Sequence, residues 1–252
     1  MPINGIRLLA HRGARLTSPE NTLESLARAK AEGADGIEFD VRLSSDGEPF
    51  LFHDESTRRV AGGNAQVSRL SWREIRRLRV FGVHPIPHLE EVLRAMEDWP
   101  KAELYIDLHQ RRFDLAETVA RGVQASLARD RTFVLDFYTG KRFLRRVVET
   151  APRVRISVMP GPPWWIDRSC DLGAGALCVG LDGALTKRLY RLACRVYDAR
   201  SAIRRAQERG IRVSGGVANA AEEVRWLVGQ GVDAIWTDDL ASTRRVLGEG
   251  PP

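Results

Sequence analysis

Residues 33–54 read GADGIEFDVRLSSDGEPFLFHD, and this stretch predicts a buried strand that carries two acids. Residues 36–41 form a short apolar run of the length of a strand. Glu38 and Asp40 stand two positions apart within it, and because side chains alternate along a strand, both carboxylates face the same side. Taken alone, the pattern also fits a solvated edge or a salt-bridged pair. On a buried face, two neighbouring carboxylates need a cation.

The second half of the stretch predicts a β-hairpin. The Asp-Gly dipeptide at 46–47 is a strong signal for a two-residue turn, and residues 48–53 follow as a second extended run. The connection is too short for a parallel crossover, so the second run must fold back antiparallel. Counting outward from a two-residue turn, His53 lies opposite Asp40. This register predicts an imidazole beside the two acids.

On both sides of this stretch, apolar runs alternate with helical patterns. Eight runs predict strands, at residues 6–10, 36–41, 103–108, 132–136, 154–158, 176–179, 211–214 and 234–237. Such alternation predicts a parallel sheet, and eight repeats within 252 residues favour a closed (β/α)8 TIM barrel over an open doubly wound sheet. Because no linker interrupts the chain, we expect a single domain over residues 1–252. Residues 55–87 are the one long interruption and predict a short inserted subdomain near the barrel mouth.

The chemistry of such a barrel lies where its strands reach their carboxyl ends. His11 follows the first predicted strand, and Glu38 and Asp40 lie on the second. Asp107 and His109 stand at the end of the third strand and share a face. Polar groups from distant segments are therefore expected to converge on one rim.

The three acids among these residues predict a metal site. Glu38, Asp40 and Asp107 together offer only oxygen ligands, and no soft ligand is placed to favour zinc. Such a set suits a hard divalent cation, Mg²⁺ or Ca²⁺.

The remaining polar residues of the rim predict phosphate chemistry. His11 and His53 would flank the metal and could act as a general acid and base pair, since an imidazole changes charge near neutral pH. Arg12 offers a fixed guanidinium fork that suits a phosphate group. The combination favours metal-assisted cleavage of a phosphodiester.

Several motifs of this chain resemble those of the glycerophosphodiester phosphodiesterases. The most specific are HRG at 11–13, PENT at 19–22, GADGIEFDV at 33–41, S-x-DG-x-P at 44–49 and HD at 53–54, and looser agreement continues at 86–93 and 231–239. The resemblance implies a (β/α)8 barrel that hydrolyses glycerophosphodiesters to glycerol 3-phosphate and an alcohol with a divalent cation. It also implies that Glu38 and Asp40 bind the metal, that His11 and His53 are the acid and base pair, and that Arg12 contacts phosphate.

The chain departs from the family pattern at two places. Where the family usually carries Glu-x-Lys on the third strand, this sequence has Asp107 and His109. The resemblance then implies Asp107 as the third metal ligand and His109 on the phosphate side, as related phospholipase D toxins of this barrel type also use Asp. The second departure is RVSGGVAN at 212–219 in place of an aromatic W-T-V-N motif, which leaves the choice of substrate open.

Two alternatives remain open at this point. One is a phospholipase D-like lyase that releases a cyclic phosphate. The other is a non-catalytic barrel that binds phosphorylated ligands, although the presence of both His11 and His53 favours an enzyme. The expected partner is a small-molecule glycerophosphodiester or lysophospholipid, and the sequence leaves the oligomeric state unknown.

Composition narrows the class of protein. The formal net charge is +6, but the basic residues are spread along predicted helices without clustered aromatics, so we expect no nucleic-acid partner. Three cysteines without a C-x-x-C motif indicate reduced thiols and a cytoplasmic location. No run of about 18 apolar residues occurs, so we expect no stable membrane insertion.

Overall fold

A computed structural model of the chain describes residues 2–180 and 183–248 and contains a closed parallel barrel. Its described strands, in chain order, are β1 (Arg7–Ala10), β2 (Gly36–Leu43), β3 (Pro49–Leu51), β4 (Arg79–Val80), β5 (His84–Pro85), β6 (Glu103–Leu108), β7 (Thr132–Phe137), β8 (Arg155–Met159), β9 (Ala176–Val179), β10 (Arg212–Gly215) and β11 (Ala234–Thr237). Its described α-helices are α1 (Leu23–Ala31), α2 (Trp72–Ile75), α3 (Leu89–Ala95), α4 (Phe113–Ala125), α5 (Lys141–Thr150), α6 (Ile166–Cys170), α7 (Ala184–Val196), α8 (Ala199–Glu208), α9 (Ala221–Gln230) and α10 (Leu240–Gly248).

Eight parallel strands close the barrel. β1 pairs with both β2 and β11, and the circle continues through β6, β7, β8, β9 and β10. Helices lie between successive barrel strands, which is the arrangement that the alternating sequence pattern predicts. The (β/α)8 prediction is therefore confirmed, and each of the eight predicted strands agrees with an observed strand to within two residues at either end.

The strands of the barrel bury both of their faces. One set of side chains fills the interior: Leu9, Tyr105, Phe133, Ala176, Ala234 and Trp236. The ring of Tyr105 stacks on Phe133 with centroids 4.9 Å apart and meets Trp236 edge-on at 4.8 Å. The alternate positions, such as Leu104 and Ile106, pack outward against the helices. This two-sided burial explains why the sequences of these strands are nearly continuous apolar runs.

An ion-pair cluster lies at the amino ends of the strands, opposite the rim that carries the site. Glu103, the first residue of β6, accepts hydrogen bonds from the guanidinium groups of Arg7 and Arg212. The hydroxyl of Tyr105 donates to the same carboxylate at 3.0 Å. These contacts satisfy a buried acid at the floor of the barrel.

The predicted register of the β2–β3 hairpin is wrong by one residue. β3 pairs antiparallel with β2 so that Val41 lies opposite Leu51, and the next pair outward is Asp40 with Phe52 rather than His53. The Phe52 N–H donates to the Asp40 carbonyl at 3.0 Å.

The register differs because the turn has three residues rather than two. The N–H of Ser44 donates to the carbonyl of Glu48 at 3.0 Å, which leaves residues 45–47 as the loop. Gly47 donates to the Ser44 carbonyl at 3.2 Å and has a φ of +88°. A glycine in the left-handed region after a tight turn is the usual third residue of such a loop.

Residues 55–87 build a small structure around β3. They contain α2, the antiparallel pair β4–β5 and a 3-10 turn at Val67–Arg69. Their apolar side chains form a second core with two residues from the β3 region; its members are Phe50, Phe52, Val60, Val67, Ile75, Val80 and Ile86. Arg59 ties this segment to the barrel rim, because its guanidinium donates to Glu20 at 2.6 and 3.0 Å.

Within the described part of the chain, every helix is too short or too polar to span a bilayer.

Candidate active site

The HRG motif forms a sharp turn at the end of β1. The His11 N–H donates to the Thr237 carbonyl at 3.1 Å, and the chain then turns through Arg12 and Gly13, both with positive φ. A Cβ on Gly13 would lie 2.4 Å from Ser25 Oγ, so only glycine fits here. The turn holds Arg12 beneath the rim, where it is 8% exposed.

The PENT motif holds the other site residues in place. Asn21 donates from Nδ2 to Asp40 Oδ2 at 2.7 Å and accepts the Asp40 N–H at 3.0 Å. Glu20 accepts a hydrogen bond from Arg12 Nη1 at 3.2 Å. Thr22 accepts the N–H of Ser25 at 3.1 Å and caps α1. In the sequence this motif is noted only for its resemblance to the family. No local pattern reveals a hydrogen bond between residues 21 and 40.

Three carboxylates from two neighbouring strands meet at the rim. Glu38, Asp40 and Asp107 each place one oxygen so that all three lie within 4.8 Å of one another. Burial, together with the charges of Asp40 and Asp107, raises the pKa of Glu38 well above its usual value. Asp40 behaves in the opposite way: burial would raise its pKa, but the charges of Arg12 and His109 lower it. Ionisation of Glu38 is disfavoured by burial and by two neighbouring carboxylates, and a bound cation would relieve this repulsion.

These residues fit a hard divalent cation. The donor set consists of oxygen atoms, as Mg²⁺ and Ca²⁺ prefer. Arg12 supplies part of the balancing charge, since its Nε lies 3.0 Å from Asp40 Oδ2, an ion-pair distance without hydrogen-bond alignment. Its backbone N–H donates to Glu38 Oε2 at 3.0 Å.

His53 is held by its carbonyl and by its ring. Arg42 donates from Nε and Nη2 to the His53 carbonyl at 2.8 and 2.6 Å. The ring Nδ1 lies 2.7 Å from Asp54 Oδ1. Although burial opposes ionisation, hydrogen bonds from Arg59 and His53 lower the pKa of Asp54 to about 2. Burial lowers the pKa of His53, against the attraction of Asp40, and this favours the neutral imidazole.

His11, which follows β1, is held by an acid that follows β11, the last strand of the barrel. Its Nδ1 lies 2.8 Å from Asp238 Oδ1, and Asn219 donates to the other oxygen of Asp238 at 2.8 Å. Burial alone would raise the pKa of Asp238, but the hydrogen bond with His11 lowers it. His11 Nε2 lies 3.9 Å from Glu38 Oε2. The neighbouring Asp239 has a separate role, since it accepts the Ser242 N–H at 2.9 Å and caps α10.

His109 lies between the acids and His53. Its Nδ1 is 3.2 Å from Asp40 Oδ1 and 3.4 Å from Asp107 Oδ2, and its ring centroid is 4.2 Å from that of His53. Burial opposes protonation, but the hydrogen bond with Asp107 and the charge of Asp40 raise the pKa of His109. The environment therefore favours the cationic imidazolium at the position where the sequence lacks a lysine.

A cavity of about 220 Å³ opens above these groups. Six of the predicted site residues line it, namely His11, Arg12, Glu38, His53, Asp107 and His109, while Asp40 is fully buried beside them. Gly216 and Val217 form part of the wall, and a Cβ on Gly216 would lie 2.7 Å from Trp236 Cβ. A wider cleft of about 650 Å³ continues from Asp107 and His109 toward Gln66 and Ser68 of the inserted segment.

Asp136 is a rim carboxyl that the sequence did not single out. It stands near the end of β7, accepts the Phe137 N–H at 2.6 Å through Oδ1, and has no hydrogen-bond partner for the buried Oδ2. Gly140 makes room for it, since a Cβ there would lie 2.0 Å from Oδ2. Burial and the charge of Asp107 raise the pKa of Asp136 from 3.8 to about 7.

Asp136→Asn is expected to remove part of the pH dependence of folding. The folded protein keeps a proton on Asp136 that the unfolded chain releases near pH 3.8, so this group destabilises the fold as the pH rises toward about 7. In chelator, the variant should match the wild type near pH 4 and exceed its free energy of unfolding at pH 8 by up to about 4 kcal/mol. Urea unfolding at several pH values measures the difference. If the free energies of unfolding of the two proteins changed with pH in parallel, the pKa of Asp136 would not be raised in the folded protein.

Comparison with known proteins identifies the family of this chain. The model of the glycerophosphoryl diester phosphodiesterase family matches residues 11–242. The chain belongs to this family. The match includes all seven residues that the sequence predicts for the site.

Individual relatives match over different lengths. Glycerophosphodiester phosphodiesterase 1 of Homo sapiens is 37% identical over 83 residues, which cover 33% of this chain and 25% of that protein. This chain thus spans about a quarter of the mammalian relatives' length. A glycerophosphodiester phosphodiesterase of Caldanaerobacter subterraneus subsp. tengcongensis is 24% identical over 260 residues, covering 96% of this chain and 98% of the relative.

Solved structures of family members have the same fold. A phosphodiesterase of Oleispira antarctica, solved in complex with the product sn-glycerol-3-phosphate, superposes with a TM-score of 0.76 at 22% identity. The superposition covers 96% of each chain. It supports the barrel assignment over nearly the whole length of the described residues.

Proposed function

We propose that this protein is a divalent-metal-dependent phosphodiesterase that hydrolyses glycerophosphodiesters to glycerol 3-phosphate and an alcohol. One observation carries the proposal: three carboxylate oxygens lie within 4.8 Å of one another at the base of a cavity that Glu38, Asp107, His11 and His53 line. Membership of the family and the product bound to the Oleispira antarctica enzyme support the choice of substrate class. We take residues 1–252 as one domain, with residues 55–87 as an insertion at the mouth.

Glu38, Asp40 and Asp107 would hold the cation, Mg²⁺ or Ca²⁺. When bound, the cation would neutralise charge on the phosphoryl oxygens. The protein prepares its site by fixing two of the three ligands: Glu38 accepts the Arg12 N–H, and Asp40 is held by Asn21. Fixed ligands reduce the reorganisation that binding requires.

His53 and His11 would serve as the acid and base pair. Because Asp54 stays ionised, it accepts the Nδ1 proton of His53 and leaves the lone pair of the neutral ring on Nε2. His53 therefore starts the reaction ready to accept a proton. Asp238 holds Nδ1 of His11 in the same way, so His11 exchanges its proton through Nε2, on the side of Glu38. Because both histidines line the same cavity, we infer that they act on one phosphorus centre from separate segments of the chain.

Arg12 and His109 would bind the phosphate group. Both line the cavity; Arg12 is cationic, and the acidic neighbours of His109 raise its pKa and so favour its cationic form. His109 in this state supplies charge of the kind that a lysine gives elsewhere in the family. The substrate would be a small molecule, a glycerophosphodiester or a lysophospholipid, processed in the cytoplasm.

Product analysis tests this function against its alternatives. The purified protein is stripped with a chelator, supplied with Mg²⁺ or Ca²⁺, and incubated with glycerophosphocholine or lysophosphatidylcholine while phosphorus NMR follows the products. We expect free glycerol 3-phosphate from glycerophosphocholine, and no turnover before the cation is restored. A stable cyclic phosphate would identify a lyase instead. Binding of substrate without turnover would identify a phosphate-binding barrel.

A further inference from the structure

Helix α7 presents an apolar stripe to solvent. Leu185, Leu189, Leu192 and Val196 are 70, 56, 55 and 89% exposed. They recur at intervals of four, three and four residues, so they lie on one face of the helix. Scattered exposed leucines are ordinary on a protein surface, but four aligned on one helix form a continuous patch.

The opposite face of α7 holds the helix on the barrel. Tyr190 is buried, and its ring meets Trp226 edge-on with centroids 6.2 Å apart. Lys187 forms an ion pair with Glu223 at 2.9 Å, and Arg191 pairs with Glu222. These contacts fix the rotation of the helix. The exposed stripe therefore does not arise from a helix that is free to turn its apolar face inward.

Positive charge borders the stripe. Arg188 and Arg195 are exposed and lie along one edge of it. Each is about one helical turn from Leu192 along the helix. Among residues 2–180 and 183–248, no acid lies within ion-pair distance of either arginine. The helix itself contains no Asp or Glu.

The stripe begins next to the catalytic rim. α7 follows the carboxyl end of β9, where Gly180 lines the cavity, so its first turn lies on the same side of the barrel as the site. The 3-10 turn Pro163–Trp165 packs beside α7 and carries Trp164, which is 53% exposed. Exposed tryptophan, leucine and arginine side chains on adjoining elements are the composition of a surface that enters the headgroup region of a bilayer.

We propose that the stripe of α7, together with Trp164, docks the protein on the surface of an anionic lipid bilayer. The leucines would enter the boundary between headgroups and acyl chains, while Arg188 and Arg195 would contact lipid phosphates. The contact is peripheral, with α7 lying in the plane of the interface. This inference concerns a surface outside the cavity and does not depend on the phosphodiesterase activity.

Charge favours a bilayer over a second copy of this chain. In a two-fold contact the same patch meets itself, so the stripes of two copies would bring Arg188 and Arg195 of both close together without a nearby acid on α7. That arrangement costs electrostatic energy. An anionic bilayer offers apolar area and negative charge together.

Vesicle flotation tests the docking surface. Vesicles of phosphatidylcholine with about one quarter phosphatidylglycerol are compared with vesicles of phosphatidylcholine alone, at an ionic strength of about 0.1 M. We expect the wild-type protein to float with the anionic vesicles. Leu189→Gln/Leu192→Gln should weaken partitioning by about tenfold or more, since it removes apolar area without adding charge. Arg188→Gln/Arg195→Gln should remove most of the preference for anionic vesicles.

Leu127→Gln is the matched control, because Leu127 is 83% exposed on a loop after α4 and should not affect flotation. Turnover of soluble glycerophosphocholine should be unchanged in all three variants, so failure of the enzymatic proposal would not imitate failure of this one. Three results would overturn the proposal: no flotation of the wild-type protein, equal loss of flotation in Leu127→Gln, or a dimer in analytical ultracentrifugation that Leu189→Gln/Leu192→Gln dissociates and that does not bind vesicles.

Discussion

His53→Ala is expected to lower kcat for glycerophosphocholine by about 10²–10⁴-fold while the protein remains folded. The substitution removes the neutral imidazole whose Nδ1 is held by Asp54 and whose Nε2 is left to accept a proton. KM should change much less, because phosphate binding is assigned to Arg12 and His109. Steady-state kinetics at saturating cation measure both constants, and circular dichroism checks the fold.

His84→Ala provides the matched control for this substitution. His84 lies in the inserted segment, where its ring pairs with Glu24 at 2.8 Å, and it does not line the cavity. We expect its kcat to stay within about twofold of the wild-type value, as for other surface substitutions outside a site. If His53→Ala kept more than a tenth of the wild-type kcat, the proton transfer would have to be assigned to another group.

The second large effect is expected from Glu38→Gln, which should stabilise the cation-free protein and abolish its response to cations. Glutamine keeps an oxygen that can accept the Arg12 N–H at the distance of 3.0 Å seen for Glu38, but it removes a charge crowded by Asp40 and Asp107. In chelator near pH 8, we expect a gain of about 1 kcal/mol or more, or about 2–4 °C in Tm. Activity should be lost.

The effect of pH on this gain follows from the raised pKa of Glu38. A carboxyl whose folded pKa lies above its unfolded value contributes stability at low pH and loses it as the pH rises through the folded value. The advantage of Glu38→Gln should therefore shrink toward zero in acid, where the wild-type carboxyl is protonated in both states. Thermal unfolding in chelator across the pH range measures it.

Cation titration completes this test. At a concentration about 100 times Kd, a bound cation should stabilise the wild-type protein by about 2.7 kcal/mol. Glu38→Gln should show no such shift in Tm. The matched control is Glu103→Gln at the opposite end of the barrel, which should be destabilised because it weakens the pairs with Arg7 and Arg212, yet should keep the shift. An unchanged cation response in Glu38→Gln would exclude Glu38 from the metal site.

The hairpin after β2 shows how a sequence-based prediction can reach the right group through the wrong register. Asp46-Gly47 identified a turn, but the sequence could not distinguish a two-residue loop from the three-residue loop that is present. His53 still reaches the acids: a ring nitrogen lies within 4.8 Å of an Asp40 carboxylate oxygen, and Arg42 holds its carbonyl. A hydrogen bond between residues 42 and 53 has no signature in the sequence.

Helix α7 shows a different limit of sequence reasoning. Its leucines have helical spacing in the sequence. The sequence of such a basic segment does not show which face of the helix is buried. The fold turns Tyr190 inward and the leucines outward. Contacts with Glu222, Glu223 and Trp226 on the neighbouring helix α9 hold it in this orientation.

The sequence by itself determined the architecture and placed seven residues at the rim, because strand periodicity and the alternation of strands with helices are local properties that a single chain displays directly. The tertiary structure decided which groups support them: Asn21 against Asp40, Asp238 against His11, and Asp136 pressed against Gly140. It also decided the charge states, since the pKa of a carboxyl depends on how deeply it is buried and on charges contributed by other strands. The separation of these neighbours along the chain ranges from 4 residues for Asp136 and Gly140, which meet across the turn after β7, to 227 residues for His11 and Asp238, which barrel closure brings together.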